Sequence, residues 1–371
     1  MTDQSDRNYS LAAADTGREI PAPALPYRPR DPKRYRPRIG LIACGGITGD
    51  HLAAYRKGGY DVAALCDVVP DRAEKRQREF YPKAKVYHDY RKLLKRDDIE
   101  VVDLAAHPRE REPMLEAALK AGKHVLSQKP FVLDLDSGRR MVELAERQGV
   151  KLAVNQNGRW APHFSYAREA IRAGLIGDVA AAHLSVHWDH TWVKGTPFEK
   201  IRHLVLYDFG IHWFDVVRCL LGGREPKRVY ASTASSPGQR VAPPLLAQAL
   251  IEFDGAQASL AFDAATQWGA QDRTYLAGTR GTIHSTGPDL KRQTLTLHTS
   301  EGYAVPELAG CWFPDGFHGT MGELLCAIEE QREPTISAGD NLESLALCFA
   351  ATASAERHEP VVPGTVRRMV E

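Results

Sequence analysis

Residues 208–215 contain the pair of side chains best suited to proton transfer. Asp208 and His212 are a carboxylate and an imidazole four residues apart, and side chains with that spacing lie on one face of a helix. We predict that a helix begins near Asp208, so that both groups project from its first turn, where free backbone N–H groups favour a negative or hydrogen-bond-accepting partner. The same pair is also typical of an N-cap residue followed by an ordinary half-buried histidine, so the surroundings must decide between the two interpretations.

A strand-to-helix turn near residue 45 has the chemistry of a phosphate-binding site. The apolar run 39–44 leads into Gly45 and Gly46 and then into a helical segment, and a helix N-terminus can hold a pyrophosphate. The turn departs from G-x-G-x-x-G at both outer positions, so a tight turn without a ligand is the alternative. The predicted cofactor contacts in this turn are Cys44, Gly45, Gly46, Ile47 and Thr48.

Asp67 lies where a nucleotide-binding domain places the acid that hydrogen-bonds a ribose diol. It closes the second apolar run, about 20 residues after the glycine pair. A carboxylate there repels a 2′-phosphate, which favours NAD over NADP as the cofactor. Arg72, Lys75 and Arg76 lie nearby in the sequence, so NADP stays open as an alternative.

Composition narrows the class of partner. The chain has 371 residues, 43% hydrophobic and 26% charged, as in a globular protein of about two domains. Its 48 basic and 47 acidic residues give a net charge of +1, which argues against nucleic acid and anionic membranes as partners. The six cysteines show no C-x-x-C spacing, and no apolar run reaches about 18 residues. We therefore expect reduced cysteines, no membrane segment and a cytoplasmic location.

The order of elements separates an N-terminal arm from a folded region. Residues 1–36 are polar and then proline-rich, and we expect a disordered tail or an extended arm that lies on another surface, such as a neighbouring subunit. From residue 38 strands alternate with helices, which is the pattern of a doubly wound parallel sheet. We therefore predict an NAD(P)-binding domain over residues 37–157.

Six features occur in a characteristic order. They are Cys44-Gly45-Gly46-Ile47, residues 121–125 with Gln128-Lys129-Pro130, Arg159-Trp160-x-Pro162, Gly174-x-Ile176-Gly177, Asp208-x-Gly210-x-His212-x-x-Asp215 and Gly278-Thr279-Arg280-Gly281-Thr282. In these features the chain resembles the glucose-fructose oxidoreductase and inositol dehydrogenase family, Gfo/Idh/MocA, over about residues 38–363. The resemblance implies an α/β protein: a Rossmann domain, followed over residues 158–371 by an α/β domain with a large, mostly antiparallel open sheet that binds substrate and another subunit.

Local patterns in the second region agree with such a sheet. Asp254-Gly255 between two short apolar runs is a strong hairpin signal. Residues 317–331 and 341–356 have the apolar periodicity of helices. An open sheet with an apolar outer face normally pairs with another copy, so we expect a homodimer or a homotetramer.

The resemblance also implies roles for individual residues. Lys129 matches the lysine beside the nicotinamide and the reacting carbinol, where a cation favours an alkoxide-like oxygen as hydride leaves. His212 matches the general acid or base, for which a reference pKa of about 6.5 is suitable, and Asp208 matches the carboxylate that orients it or hydrogen-bonds the sugar. Further predicted cofactor contacts are His107, Gln128 and Lys129. The predicted substrate contacts are Lys129, Arg159, Trp160, His187, Asp208 and His212.

Three places depart from the family pattern. Gln128 stands where a glutamate usually precedes the lysine, which keeps a hydrogen-bonding carbonyl but loses the charge that would pair with Lys129. Residues 107–112 read His-Pro-Arg-Glu-Arg-Glu instead of Thr-Pro-x-x-x-His. Ala43 replaces the first fingerprint glycine and adds a methyl group at a tight turn. These departures concern cofactor geometry and turnover more than the fold.

A group of histidines raises the question of a metal site. His183, His187 and Asp189 would share one face of a strand, and His190 and His203 follow. Imidazole and carboxylate are ordinary metal ligands, but the spacing matches no tight metal motif. We therefore predict no metal, and solvated or substrate-binding histidines.

The expected function is hydride transfer between NAD and a secondary hydroxyl or ketone of a sugar, cyclitol or glycoside. Within catalysis, the alternative is a redox-neutral glycosidase or epimerase that regenerates its own NAD. Outside catalysis, the alternative is a sugar or nucleotide sensor on the same fold. The presence of Lys129, Asp208 and His212 argues against a sensor.

Overall fold

The first half of the chain alternates strands and helices, as its apolar pattern predicts. The structure is a computed structural model that describes residues 17–289 and 291–369. The strands are β1 (Arg38–Ile42), β2 (Asp61–Cys66), β3 (Lys85–Tyr87), β4 (Ile99–Leu104), β5 (His124–Ser127) and β6 (Leu152–Val154). The helices are α1 (Thr48–Lys57), α2 (Pro70–Phe80), α3 (Tyr90–Leu94), α4 (Pro108–Lys120) and α5 (Leu135–Gln148).

These six strands form one parallel sheet in the order β3-β2-β1-β4-β5-β6. The prediction of a doubly wound sheet is therefore confirmed. The strand order reverses between β1 and β4, and sheets of this kind leave a ligand crevice at the carboxyl ends of the strands there. The turn after β1, Asp67 after β2 and the segment after β5 all lie at those ends.

The second half is built on an eight-stranded sheet that is mostly antiparallel. Its strands are β7 (Val179–His187), β8 (Pro226–Ala234), β9 (Leu246–Phe253), β10 (Ala256–Asp263), β11 (Gln271–Gly278), β12 (Gly281–Gly287), β13 (Thr294–Thr299) and β14 (Gly302–Ala304). The order is β14-β13-β12-β11-β7-β10-β9-β8, in which only β7 and β10 pair in parallel. Asp254-Gly255 forms the predicted hairpin between β9 and β10, with Gly255 at φ 66°.

Four α-helices complete the described part of the second half. They are α6 (Pro162–Arg172), α7 (Ile211–Leu220), α8 (Trp312–Glu329) and α9 (Ala338–Arg357). Helix α9 packs against β8, α7 and α5, whereas α8 packs against α1. One continuous apolar core therefore runs from the parallel sheet to the antiparallel sheet. Among the described residues, no helix combines the length and apolar character that a membrane span requires.

Two predicted helix starts were wrong. The helix predicted near Asp208 begins at Ile211, because residues Val205–Phe209 form a π-helical turn first. The helix predicted over residues 317–331 lies within the element Trp312–Glu329, whose first turn is separated from the rest by a kink at the non-helical Phe313. Sequence patterns also did not identify the short elements β3, α3 and β14, or helix α6.

The described part of the N-terminal arm lies on the chain's own surface. Ile20 N–H donates to the Tyr303 carbonyl at 2.8 Å, which adds a short bridge beside β14. Tyr166 donates to the Pro23 carbonyl at 2.9 Å. The Glu329 carboxylate accepts backbone N–H bonds from Lys33, Arg34 and Tyr35. These hydrogen bonds to distant residues hold an extended segment that has no core of its own. Residues 1–16 of the predicted arm lie outside the described part.

Candidate active site

Lys129 and Asp208 meet across the crevice between the two sheets. Lys129 follows the carboxyl end of β5, and its Nζ donates to the Asp208 carbonyl at 2.8 Å. The same Nζ lies 3.2 Å from Asp208 Oδ2. The two side chains are 15% and 10% exposed, so the ion pair is shielded from most of the solvent. The loss of a glutamate at position 128 therefore leaves Lys129 with Asp208 as its carboxylate partner.

The π-helical turn explains how Asp208 offers both its carbonyl and its carboxylate to Lys129. One extra residue per turn frees main-chain carbonyls from the helical hydrogen-bond pattern. Gly210 closes this turn, and a Cβ there would lie 2.6 Å from the Leu206 carbonyl oxygen and 2.7 Å from that of Val205. The glycine in the Asp208-x-Gly210-x-His212 motif is therefore needed for close backbone packing.

His212 is a buried, neutral imidazole. It is the second residue of α7, only 8% exposed, with its ring 5.6 Å from the Trp312 ring. Burial, and secondly the Lys129 cation, hold the pKa of His212 well below its usual value of about 6.5. Its Nδ1 has no hydrogen-bond partner within the described part of the chain. The expectation that the pKa of His212 lies near its reference value was therefore wrong. A neutral imidazole is nevertheless the form that accepts a proton.

A buried polar network holds Gln128 beside Lys129. His51 Nδ1 lies 2.7 Å from Asp103 Oδ2, which also accepts from Tyr55 at 2.7 Å. His51 Nε2 lies 3.2 Å from Gln128 Nε2, and Gln128 Oε1 accepts the Lys129 N–H at 2.8 Å. An imidazole that donates through Nδ1 to Asp103 and accepts the Gln128 amide through Nε2 satisfies every contact. The amide at position 128 thus supplies the donor that His51 Nε2 accepts in this tautomer.

Sequence reasoning did not find this network. Asp103 is 52 residues from His51, and Gln128 is 77 residues from it. No short-range spacing marks such a set. The departure at Gln128 was the one visible signal.

The turn after β1 fits a dinucleotide phosphate. A Cβ added to Gly45 or Gly46 would meet no atom within 4 Å, so the space above the turn is open. Ile47 is the N-cap of α1 and supplies no side-chain cap, which leaves the helix N-terminus available to an anion. Thr48 Oγ1 donates to the Gly45 carbonyl at 2.7 Å and steadies the turn. Ala43 adopts φ 70°, so its methyl group, which the usual glycine lacks, costs about 1 to 2 kcal/mol there.

The Asp67 carboxylate holds this turn in place and can still accept hydrogen bonds from a ribose. Its Oδ2 accepts the Cys44 N–H at 2.7 Å and its Oδ1 accepts the Val69 N–H at 2.8 Å. Each carboxylate oxygen has a second lone pair that a hydroxyl can use. Arg76, one of the cations that left NADP open, donates instead to the carbonyls of Gly45 and Gly46.

The side chains of two predicted substrate contacts are buried against other parts of the protein. The Arg159 guanidinium forms a buried two-point ion pair with Asp215, with both bonds at 2.6 Å, and also contacts Asp340. Trp160 is 7% exposed and belongs to the core beside α8. The carboxylates that engage Arg159 come from distant segments, which is why the sequence could not show that its guanidinium is already occupied.

The remaining predicted contacts lie at loop ends. His107 is the N-cap of α4, and its ring lies 5.9 Å from the Phe198 ring of the second half. His187 ends β7, and its Nδ1 lies 2.6 Å from Asp263 Oδ2. His183 contacts Ser259 instead of joining His187. Among the described residues, no group of three or more ligating side chains could hold a metal ion.

Comparison with known proteins identifies the family. A model described as "oxidoreductase family, NAD-binding Rossmann fold" matches residues 37–156, and one described as "GFO/IDH/MocA C-terminal domain" matches residues 164–284. The chain belongs to the Gfo/Idh/MocA family. Its first domain is therefore an NAD-binding Rossmann domain, and both the predicted family and the predicted cofactor are confirmed.

Proteins similar to this chain include sugar and inositol dehydrogenases. The chain is 28% identical over 337 residues to the D-apiose dehydrogenase of Paraburkholderia graminis, covering 86% of this chain and 88% of that protein. It is 26% identical over 328 residues to the inositol 2-dehydrogenase of Rhizobium meliloti, covering 85% and 96%. An oxidoreductase from Agrobacterium radiobacter, solved with NAD+, L-tartaric acid and magnesium, superposes with a TM-score of 0.80 at 23% identity, covering 89% and 99%. The chain is thus an oxidoreductase with the predicted α/β fold.

Proposed function

We propose that this oxidoreductase converts a secondary hydroxyl of a sugar, cyclitol or glycoside into a ketone. The contact that supports this most directly is between Lys129 and Asp208, because it brings an ammonium group and a carboxylate together beside His212. The names of the relatives, D-apiose dehydrogenase and inositol 2-dehydrogenase, support a small polyhydroxylated substrate.

The cofactor site consists of residues at the carboxyl ends of the parallel strands. The turn from Cys44 to Thr48 would hold the pyrophosphate at the N-terminus of α1, and Asp67 would accept the ribose hydroxyls. His107 and Gln128 border the same edge of the sheet. Bound NAD supplies the hydride acceptor for the carbinol hydrogen.

The protein side chains handle the proton and the developing charge. Neutral His212 accepts the hydroxyl proton as the O–H bond breaks. Lys129 donates a hydrogen bond to the same oxygen and stabilises its negative charge while the hydrogen leaves carbon with its electron pair. Asp208 accepts from Lys129 Nζ and thereby orients the ammonium group. The products are the ketone, the reduced cofactor and a proton on His212.

A panel of aldoses, cyclitols and methyl glycosides, assayed with NAD at the nicotinamide absorbance, tests this function. We expect reduced cofactor and ketone to form in equal amounts on at least one compound. Cleavage or epimerisation of a sugar without net NADH would favour the redox-neutral alternative. Calorimetric sugar binding with no conversion would favour a sensor and contradict the proposal.

We also propose that the outer face of the eight-stranded sheet is covered by another copy of the chain. Tyr230, Leu250 and Tyr275 are 41%, 60% and 46% exposed. Strand register aligns them in one row, with Ser259 and His183 between Leu250 and Tyr275. Such a patch on an open sheet is typical of a subunit interface.

We also propose a reducing compartment such as the cytoplasm, because all six cysteines are free thiols.

A further inference from the structure

Arg111 is a buried cation whose hydrogen bonds go to main-chain carbonyls. It lies in the first turn of α4 and is 1% exposed. Its Nε donates to the Ala106 carbonyl at 2.9 Å, and a terminal nitrogen donates to that of Phe131 at 3.0 Å. Its two terminal nitrogens also contact the carbonyls of Ala106 and Pro130. No carboxylate accepts a hydrogen bond from it within the described part of the chain.

The three carbonyls belong to two segments, one that follows β4 and one that directly follows the proposed catalytic lysine. Ala106 follows β4 and directly precedes His107, which begins the altered 107–112 segment. Pro130 and Phe131 directly follow Lys129, after β5. The guanidinium therefore joins the exits of two neighbouring parallel strands at the carboxyl edge of the sheet, where the cofactor crevice lies.

Burying this cation without a carboxylate partner lowers stability, so we expect a function that offsets the cost. Burial lowers the pKa of the Arg111 guanidinium to about 10, and nearby groups such as Tyr207 and Asp208 offset that only in part. The residue is still charged at neutral pH, so a full charge is kept out of water without an ion-pair partner in direct contact. An apolar side chain of similar volume would avoid that desolvation. Such an apolar side chain could not bind three carbonyls of two segments at once, which the rigid fork of arginine allows.

We propose that Arg111 is a positioning residue that fixes the Lys129 segment against the His107 segment and so holds Lys129 on Asp208. Arg111 binds the residues that follow Lys129, whereas the His51 network contacts Gln128, the residue that precedes it. This inference rests on the role of Lys129 in the proposed function. The two can be tested separately because segment order is measurable without substrate.

Three variants separate positioning from general stability. Arg111→Met removes the charge and every hydrogen bond, and Arg111→Lys keeps the charge but lacks the fork. Lys123→Met is the matched control, because Lys123 is 7% exposed and its Nζ donates to the Arg96 carbonyl at 2.9 Å, at the opposite edge of the same sheet. Each protein is studied by hydrogen-exchange mass spectrometry of the whole chain, by calorimetry with NAD, and by turnover on the sugar that the panel identifies.

We expect Arg111→Met to speed exchange at the amides of residues 105–107 and of Gln128, Lys129 and Phe131 by about tenfold or more, since several charge-assisted bonds are lost. Turnover should fall by about 10²-fold, because a displacement of order 1 Å at a reacting group has that effect. Arg111→Lys should show both effects more weakly, and Lys123→Met should lower the melting temperature without either effect.

Several outcomes would overturn the inference. One is exchange and turnover in Arg111→Met that match those of Lys123→Met. If Arg111→Met does not fold, the same comparison is made with Arg111→Lys, and equal exchange in the two segments contradicts the role. If the wild type oxidises no sugar, the proposed function fails, while the exchange data still decide whether Arg111 orders the Lys129 segment.

Discussion

The pH dependence of sugar oxidation should report the buried state of His212. In the free enzyme, burial and Lys129 lower the pKa of this imidazole well below about 6.5. A base with the usual pKa would be about 90% protonated at pH 5.5, and kcat/KM would fall about tenfold from its value at pH 7.5. With a lowered pKa more of the base stays neutral, so we expect kcat/KM at pH 5.5 to fall by much less than tenfold from that value.

The assay is the initial rate of NADH formation at low sugar and saturating NAD, from about pH 4.5 to 8.5. His212→Ala should lose at least about 10²-fold in turnover at every pH, since general-base assistance is worth about 10² to 10⁴-fold. Lys129→Met should move the acid limb to higher pH but keep it below 6.5, because burial is the larger cause of the shift. An acid limb centred near pH 6.5 in the wild type would refute the reasoning. If His212→Ala also keeps near-normal turnover, His107, His187 and Tyr207 are the next candidates for the base.

Three further predictions concern the cofactor, stability and assembly. Calorimetry should show tighter binding of NAD than of NADP, and Asp67→Ala should narrow the gap; equal or tighter NADP binding to the wild type would contradict this. His163 is fully buried and its pKa falls to about 3, so the unfolded chain binds the extra proton and stability is lost as the pH falls below about 6.5. Urea unfolding should show that His163→Leu removes about 2 kcal/mol of the wild-type loss between pH 7 and pH 5, and an unchanged pH dependence would argue against it. Light scattering should find a dimer or tetramer that Leu250→Asp with Tyr275→Asp converts to a smaller species; a wild-type monomer at micromolar concentration would be inconsistent with the proposed interface.

Local signals in the sequence were sufficient for most of the fold. Asp134 and Gly149 bracket α5 because one caps its first N–H groups and the other adopts φ 66° at its end. Asp254-Gly255 determined a hairpin because a two-residue loop requires a left-handed residue. Each of these signals acts within a few residues, which is why it can be read from the chain directly.

The parts that could not be predicted depend on distant partners or on irregular backbone. The π-helical turn at Val205–Phe209 adds one residue per turn, and apolar periodicity does not reveal it. Arg159 looked available to substrate, yet its partners Asp215 and Asp340 lie 56 and 181 residues away. The carbonyls that Arg111 binds come together only once β4 and β5 are side by side. The roles of Lys129, Asp208 and His212 came from family resemblance, and their chemistry stays a prediction.

The turnover of a Lys129→Ala and His212→Ala double variant, compared with each single variant, is the most direct test of whether both residues act on one hydroxyl. Groups that act as a unit are not additive. If each single change costs at least about 10²-fold, the double variant should lose much less than the product of the two, with NAD affinity close to that of the wild type. Losses that multiply would show two independent roles, and a double variant with near-normal turnover would show that neither residue takes part in the reaction.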